Sequence, residues 1–221
     1  MQPRPYLTIY RQLFDAYGPQ QWWPADSAFE MMCGVVLVQN TAWTGAYKAV
    51  QALWAADLGH PAAIRAAGEE ALWPVIRPAG FFRVKAKRLM ALCEFLADYE
   101  DDPEVLFQTP HEELRKKLLG VYGLGKESVD SILCYGAGAP WFVVDAYTKR
   151  LFTRTGLLTE AEASYDRMQQ MVHEEVPANT QDYNEYHALI VRHAKEHCRA
   201  RKPLCDGCPV TPCDYGNALD G

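Results

Sequence analysis

Four cysteines crowd the C-terminal part of the chain in the spacing Cys198-x6-Cys205-x2-Cys208-x4-Cys213. Thiols gathered this way serve disulfides or metals. The opening stretch, MQPRPYLTIYRQLF, has no secretion-signal hydrophobic run, which favours a metal site. The other three of the seven cysteines, Cys33, Cys93 and Cys134, stand singly among apolar residues and read as small core side chains. A second chemical signal lies in HEELRKKLLGVYGLGKESVDSILCYG. There Leu114, Leu118 and Leu119 supply an apolar helix face, Gly123-Leu124-Gly125 breaks it, and Ser128, Val129, Ile132 and Leu133 begin another. A tight Gly-x-Gly turn between helices exposes backbone N–H groups at the second helix's partly positive N-terminus, where phosphate can bind. Glycine suits such a turn twice, for positive φ and for close approach of a ligand to the backbone. An ordinary glycine-capped helical hairpin would use the same residues. A third element, Val143-Val144-Asp145-Ala146-Tyr147, precedes the helix-like Thr148–Arg154, where Asp145 could simply be a cap.

The elements that must position these groups read as mostly helical. Ala46, Ala49, Val50, Leu53 and Trp54 form one helical face, and Ala86, Leu89, Met90 and Cys93 another. The β-branched runs Gly34–Val38 and Phe142–Val144 have local strand propensity but are too isolated to anchor a sheet. Connections are short and punctuated by Pro and Gly, with no repeat or low-complexity tract.

A chain of 221 residues, 49% hydrophobic and 23% charged, has an ordinary globular composition, which excludes a fibre or a disordered polymer. No apolar run is long enough to span a bilayer, so a soluble, cytoplasmic protein without membrane contact is expected. The net charge of -6 argues against bulk coating of nucleic acid. Local basic clusters nevertheless occur: Arg77 to Arg88, then Arg115-Lys116-Lys117 with Lys126, then Arg192, Lys195, Arg199, Arg201 and Lys202. Three such clusters in an acidic protein point to one-sided contact with an anionic ligand.

Glycine hairpin, apolar Gly/Pro-containing link and Val-Asp at a helix start together resemble the helix-hairpin-helix DNA glycosylase superfamily. The resemblance implies an all-α, two-lobed fold: residues 26–138 as a helical barrel containing the hairpin, and 1–25 plus 139–221 as a second lobe with cluster loop 198–213. Double-stranded DNA with damaged bases would lie across the cleft between the lobes, bound by a monomer. Asp145 matches the aspartate facing the sugar of a flipped-out nucleotide, where a carboxylate stabilises oxocarbenium charge and can orient water. Bifunctional relatives carry a nucleophilic lysine in the second hairpin helix. Here Glu127 occupies that position and Lys126 precedes it, about 100° away around a helix. A monofunctional enzyme, without lyase activity, is therefore expected.

The cysteine quartet resembles the [4Fe–4S] loop of the endonuclease III branch, although its last gap is one residue shorter; a four-thiolate zinc site is the alternative. The motifs Trp22-Trp23-Pro24, Val38-Gln39-Asn40-Thr41-Ala42-Trp43, Arg77–Phe82 and Gly125-Lys126-Glu127-Ser128 resemble the 3-methyladenine DNA glycosylase III group, whose members can lack those cysteines. That resemblance implies Trp23 and Trp43 as walls sandwiching a cationic alkylpurine, with Lys195 near the pocket. It also implies Gln39 filling the space left by the flipped base and Phe81 as a wedge, while Gly123, Gly125, Lys126, Arg199, Arg201 and Lys202 meet DNA. Arg83, Lys85 and Lys87 are expected at phosphates nearby. Rival readings are an endonuclease III-like specificity for oxidised pyrimidines or mismatches, and a non-catalytic DNA-binding or redox-sensing iron–sulfur protein.

Overall fold

The computed structural model describes residues 4–219; the first three and last two residues of the expected second lobe lie outside the described residues. The helices are α1 (Pro5–Tyr17), α2 (Ala28–Val38), α3 (Trp43–Ala55), α4 (Pro61–Ala67), α5 (Glu69–Val75), α6 (Phe82–Leu96), α7 (Pro103–Leu106), α8 (His111–Leu119), α9 (Lys126–Tyr135), α10 (Ala146–Arg154), α11 (Tyr165–Glu175), α12 (Thr180–Glu196) and α13 (Asp214–Leu219). No strand occurs among the described residues, so the all-α expectation holds. No helix among them is long and apolar enough to cross a membrane.

The chain divides into two units, one of Trp23–Ala139 and one of Met1–Trp22 with Pro140–Gly221. In the first, Ser27 caps α2 by accepting from the Glu30 N–H, and every residue from Phe29 to Leu37 is buried. A helix apolar on all sides must be central; α3, α6, α7 and α9 pack around it. This explains why Gly34–Val38 is helical despite its β-branched residues, since burial on every face outweighs a weak local propensity. Gly34 is itself needed there, because a Cβ would come within 3.0 Å of the Trp23 ring. Cys33, Cys93 and Cys134 are buried as expected.

In the second unit α12 is the long central helix. It is capped by Asn179 and buries Tyr183, Tyr186, His187, Leu189, Ile190 and His193. Helices α1 and α10 pack on α12, α11 packs on α1, and α13 on α10. The Phe142–Val144 run is buried outside any helix or strand, and Phe142 N–H, Phe142 O and Val143 O bond to side chains.

Candidate functional site

The hairpin of α8 and α9 is closed by two glycines that serve different ends. Gly123 has φ +86°, and a Cβ there would lie 2.2 Å from Arg88 Cγ. Gly125 has ordinary extended backbone, is exposed, and would offer a Cβ nothing within 4 Å. The first glycine builds the turn, and the second leaves open space at the start of α9. Gly125 brings no side chain to cap that helix, whose exposed first turn carries Lys126 and Glu127. The arms are joined by Arg115, which donates to both oxygens of the fully buried Asp130 at 2.6 and 3.1 Å. Arg115 therefore belongs to the hairpin's internal structure and is not an outward phosphate contact.

Gln39 also belongs to this assembly. Its Nε2 donates to Gly123 O at 3.0 Å and to Ser128 Oγ at 2.8 Å, while Arg88 donates to its Oε1. Phe81 is the opposite case: 70% exposed, with φ +46°, it stands just ahead of α6. A bulky side chain in the left-handed region is strained, and such strain gathers at functional positions. Lys85 corrects an expectation. It is 1% exposed, and its ammonium donates to Leu37 O at 2.8 Å and Ala79 O at 2.7 Å. Burial pushes its amine down to about 8. It ties the turn carrying Gln39 to the one carrying Phe81 and cannot meet phosphate. Arg83 and Lys87 are exposed, and Arg83 lies over the Trp73 ring at 4.9 Å.

The aromatic residues converge, but not as parallel walls. Trp23 and Trp43 meet edge to face at 4.7 Å and 88°, and Trp23 stacks on Tyr135 at 5.5 Å and 27°. Direct edge-to-face contact leaves no slot between the two indoles for a third ring. Trp43 is followed at 6.3 Å by Tyr47, which is 46% exposed. Any stacking surface would thus be an outer ring face. Lys195, in the other unit, is exposed on α12.

Asp145 is the N-cap of α10. Its Oδ1 accepts from Thr148 N at 2.8 Å and from Thr148 Oγ1 at 3.0 Å, whereas no hydrogen bond to Oδ2 occurs among the described residues. The capping role is real. It employs one oxygen and fixes the carboxylate, with the second oxygen left for other chemistry.

The family model for the HhH-GPD superfamily base excision DNA repair proteins matches residues 33–178, a span that includes both the hairpin and Asp145. The chain belongs to this superfamily. It is 43% identical over 204 residues to the "Putative DNA repair glycosylase MJ1434" of Methanocaldococcus jannaschii, covering 91% of this chain and 92% of that one. The structure of H. pylori 3-methyladenine DNA glycosylase (MagIII) bound to 1,N6-ethenoadenine matches with TM-score 0.75 and 28% identity, over 86% of this chain and 97% of that one. A trapped endonuclease III–DNA covalent intermediate gives TM-score 0.84 at 20% identity, covering all of both chains, a likeness of fold.

The four C-terminal cysteines of this helix-hairpin-helix glycosylase lie beyond the matched span. Cys198, Cys205, Cys208 and Cys213 line one cavity together with Leu151, His193 and Val210. No group of three or more His, Cys, Asp or Glu placed to hold a metal ion occurs among the described residues. Burial raises the Cys208 thiol. Burial likewise pushes His193 down to about 4, with His197 adding to the effect, so His193 is neutral beside Cys208 Sγ at 3.8 Å. Arg199, Arg201 and Lys202 are exposed on this loop.

Sequence reasoning missed what anchors the loop. Arg150 donates to Cys198 O at 2.8 Å, and Arg154 donates to Arg199 O at 2.7 Å and to Cys198 Sγ at 3.4 Å. The two arginines are four residues apart on α10, the helix that Asp145 caps, and that i, i+4 spacing was the available signal. Lys85 gave none, because a lysine in a basic run looks exposed until the fold buries it.

Proposed function

We propose that this protein is a monofunctional DNA glycosylase that hydrolyses the N-glycosidic bond of alkylated purines, 3-methyladenine among them, flipped out of duplex DNA. Asp145 carries the reading. Base departure places positive charge on the deoxyribose ring, and a fixed carboxylate lowers the energy of that state without reorganising as it forms. The cap to Thr148 supplies the fixation through Oδ1, and Oδ2 is available to face the sugar or to orient water. A lysine nucleophile would instead form a Schiff base. The acidic Glu127 at the corresponding hairpin position favours hydrolysis.

Gly125 and the start of α9 suit a phosphate held by main-chain N–H groups, with the exposed Lys126 adding charge. The exposed, strained Phe81 suits a wedge entering the base stack. Gln39 could fill the space left by the flipped base only after exchanging its bonds to Gly123 and Ser128 for bonds to DNA. Similarity to a 3-methyladenine glycosylase supports the alkylpurine assignment. So does the outer aromatic surface of Trp43 and Tyr47, since a cationic base is attracted to an aromatic face.

The four cysteines fit a [4Fe–4S] cluster. Cys198, Cys205, Cys208 and Cys213 line one common cavity, and four thiolates are the donor set that such a cluster takes. Cys198, Cys205, Cys208 and Cys213 would hold the cluster, which supplies a structural cross-link for the loop bearing Arg199, Arg201 and Lys202.

The test is base release from duplexes containing 3-methyladenine, 7-methylguanine or an oxidised pyrimidine, with strand breaks read before and after alkali. Methylpurine release with alkali-dependent breaks and no borohydride-trapped adduct is expected. Oxidised-pyrimidine release with direct breaks would overturn both the substrate and the monofunctional assignment.

A further inference from the structure

The chain reaches Asp145 through Phe142–Val144, a buried run that belongs to no helix or strand. Buried peptide groups need partners, and these come from α11 and α12. Phe142 N–H donates to His173 Nε2 at 3.0 Å, and Gln169 Nε2 donates to Phe142 O at 2.7 Å. His187 Nδ1 lies 3.0 Å from Val143 O, which makes that nitrogen a donor. His173 is in turn stacked parallel on Tyr183, with ring centroids 4.9 Å apart and 10° between planes.

Those bonds define geometry more tightly than apolar packing could. Phe142 is held by both its N–H and its carbonyl, and Val143 by its carbonyl, so the peptide planes leading to Asp145 are set from outside the segment. The chemistry of His173 is constrained as well. Because Nε2 accepts a peptide N–H, it must carry the lone pair, and the ring is neutral with its proton on Nδ1. Gln169 and His187 are both buried, where polar groups are costly unless bonded. Core filling alone would be met more simply by apolar side chains.

We propose that Gln169, His173 and His187 are positioning residues for Asp145, holding the segment that delivers its carboxylate to the sugar. The inference rests on the reading of Asp145 given above. A displacement of about 1 Å at a reacting group is worth on the order of 100-fold in rate.

The experiment compares wild type, His173→Phe, His173→Gln and Asp145→Asn in single-turnover release of methylated bases from duplex DNA treated with dimethyl sulfate. Affinity for a duplex carrying an abasic-site analogue is measured in parallel. Phenylalanine keeps a ring to stack on Tyr183 but cannot accept the Phe142 N–H, whereas the glutamine amide oxygen can. We expect His173→Phe to slow release by about 10- to 100-fold with unchanged DNA affinity, and His173→Gln to restore most of the rate. Full activity in His173→Phe, or equal loss of rate and affinity without rescue by glutamine, overturns the inference. Where His173→Phe fails to fold, Gln169→Leu serves the same comparison. Undiminished release by Asp145→Asn, or none by wild type, instead removes the reading of Asp145, and the inference with it. Lost release in Asp145→Asn beside full activity in His173→Phe removes the inference alone.

Discussion

Replacing Arg115 with leucine tests whether the hairpin is a rigid DNA-binding element held from within. Asp130 has no solvent exposure, and the side chain of Arg115 is only 19% exposed. Their two contacts of 2.6 and 3.1 Å join α8 to α9 in a forked, charge-assisted arrangement. Removing the guanidinium leaves a carboxylate buried without its opposite charge, a change that costs about 3–5 kcal/mol. Partial exposure of Arg115 places the expected value toward the lower end of that range. For a protein of this size each kcal/mol moves the melting temperature by about 2–4 °C, so a drop of about 6–12 °C is expected. The double substitution Arg115→Leu with Asp130→Leu removes both charges and should recover most of the loss, because apolar groups of similar size often replace a buried pair at little cost. The assay is thermal and urea unfolding followed by far-ultraviolet circular dichroism, arranged as a double-mutant cycle. A coupling below about 0.5 kcal/mol would refute the reasoning, since residues in direct contact otherwise couple by more. DNA binding by the double variant, once folded, should stay close to wild type, because Arg115 faces Asp130 and not the phosphate site.

Asp145, Gly123, Gly125 and Lys85 each carry a further expected outcome. Asp145→Asn should abolish base release yet leave the melting temperature nearly unchanged, because asparagine also caps helices; Asp145→Ala should abolish release and cost about 1 kcal/mol in addition. Gly123→Ala should destabilise the fold, since its φ of +86° is unfavourable for alanine and the new Cβ would meet Arg88. Gly125→Ala should leave unfolding unchanged but weaken DNA binding, as its Cβ enters space open in the free protein. Lys85 should make stability rise with pH. Burial lowers its amine to about 8, against an ordinary value of 10.5 in the unfolded chain. Below pH 8 both states are protonated and the penalty of the buried charge is complete. Between about pH 8 and 10.5 only the unfolded chain keeps the proton, so stability is gained. Unfolding of wild type against Lys85→Met across that window would show the gain only in wild type, and parallel curves would refute it.

The sequence by itself determined the elements that depend on local chemistry. A mostly helical chain followed from apolar residues at helical spacing and from β-branched runs too isolated for a sheet, and the hairpin from Gly123-Leu124-Gly125 between two apolar faces. The Val-Asp start of α10 was equally legible, because a capping carboxylate and the positive φ of a turn are properties of a few consecutive residues. Tertiary structure decided which polar groups are spent inside the fold. Lys85, Arg115 and Gln39 look like surface residues in the sequence, but each is bonded within its unit to groups 48, 15 and 84 residues away, respectively. The same holds for the run before Asp145, whose partners Gln169, His173 and His187 come from later helices. The angle between Trp23 and Trp43 also belongs to packing, since their spacing in the chain says nothing of ring orientation. A charge or an amide has no fixed side of the protein until the fold supplies its partner, and no sequence period records where that partner will be.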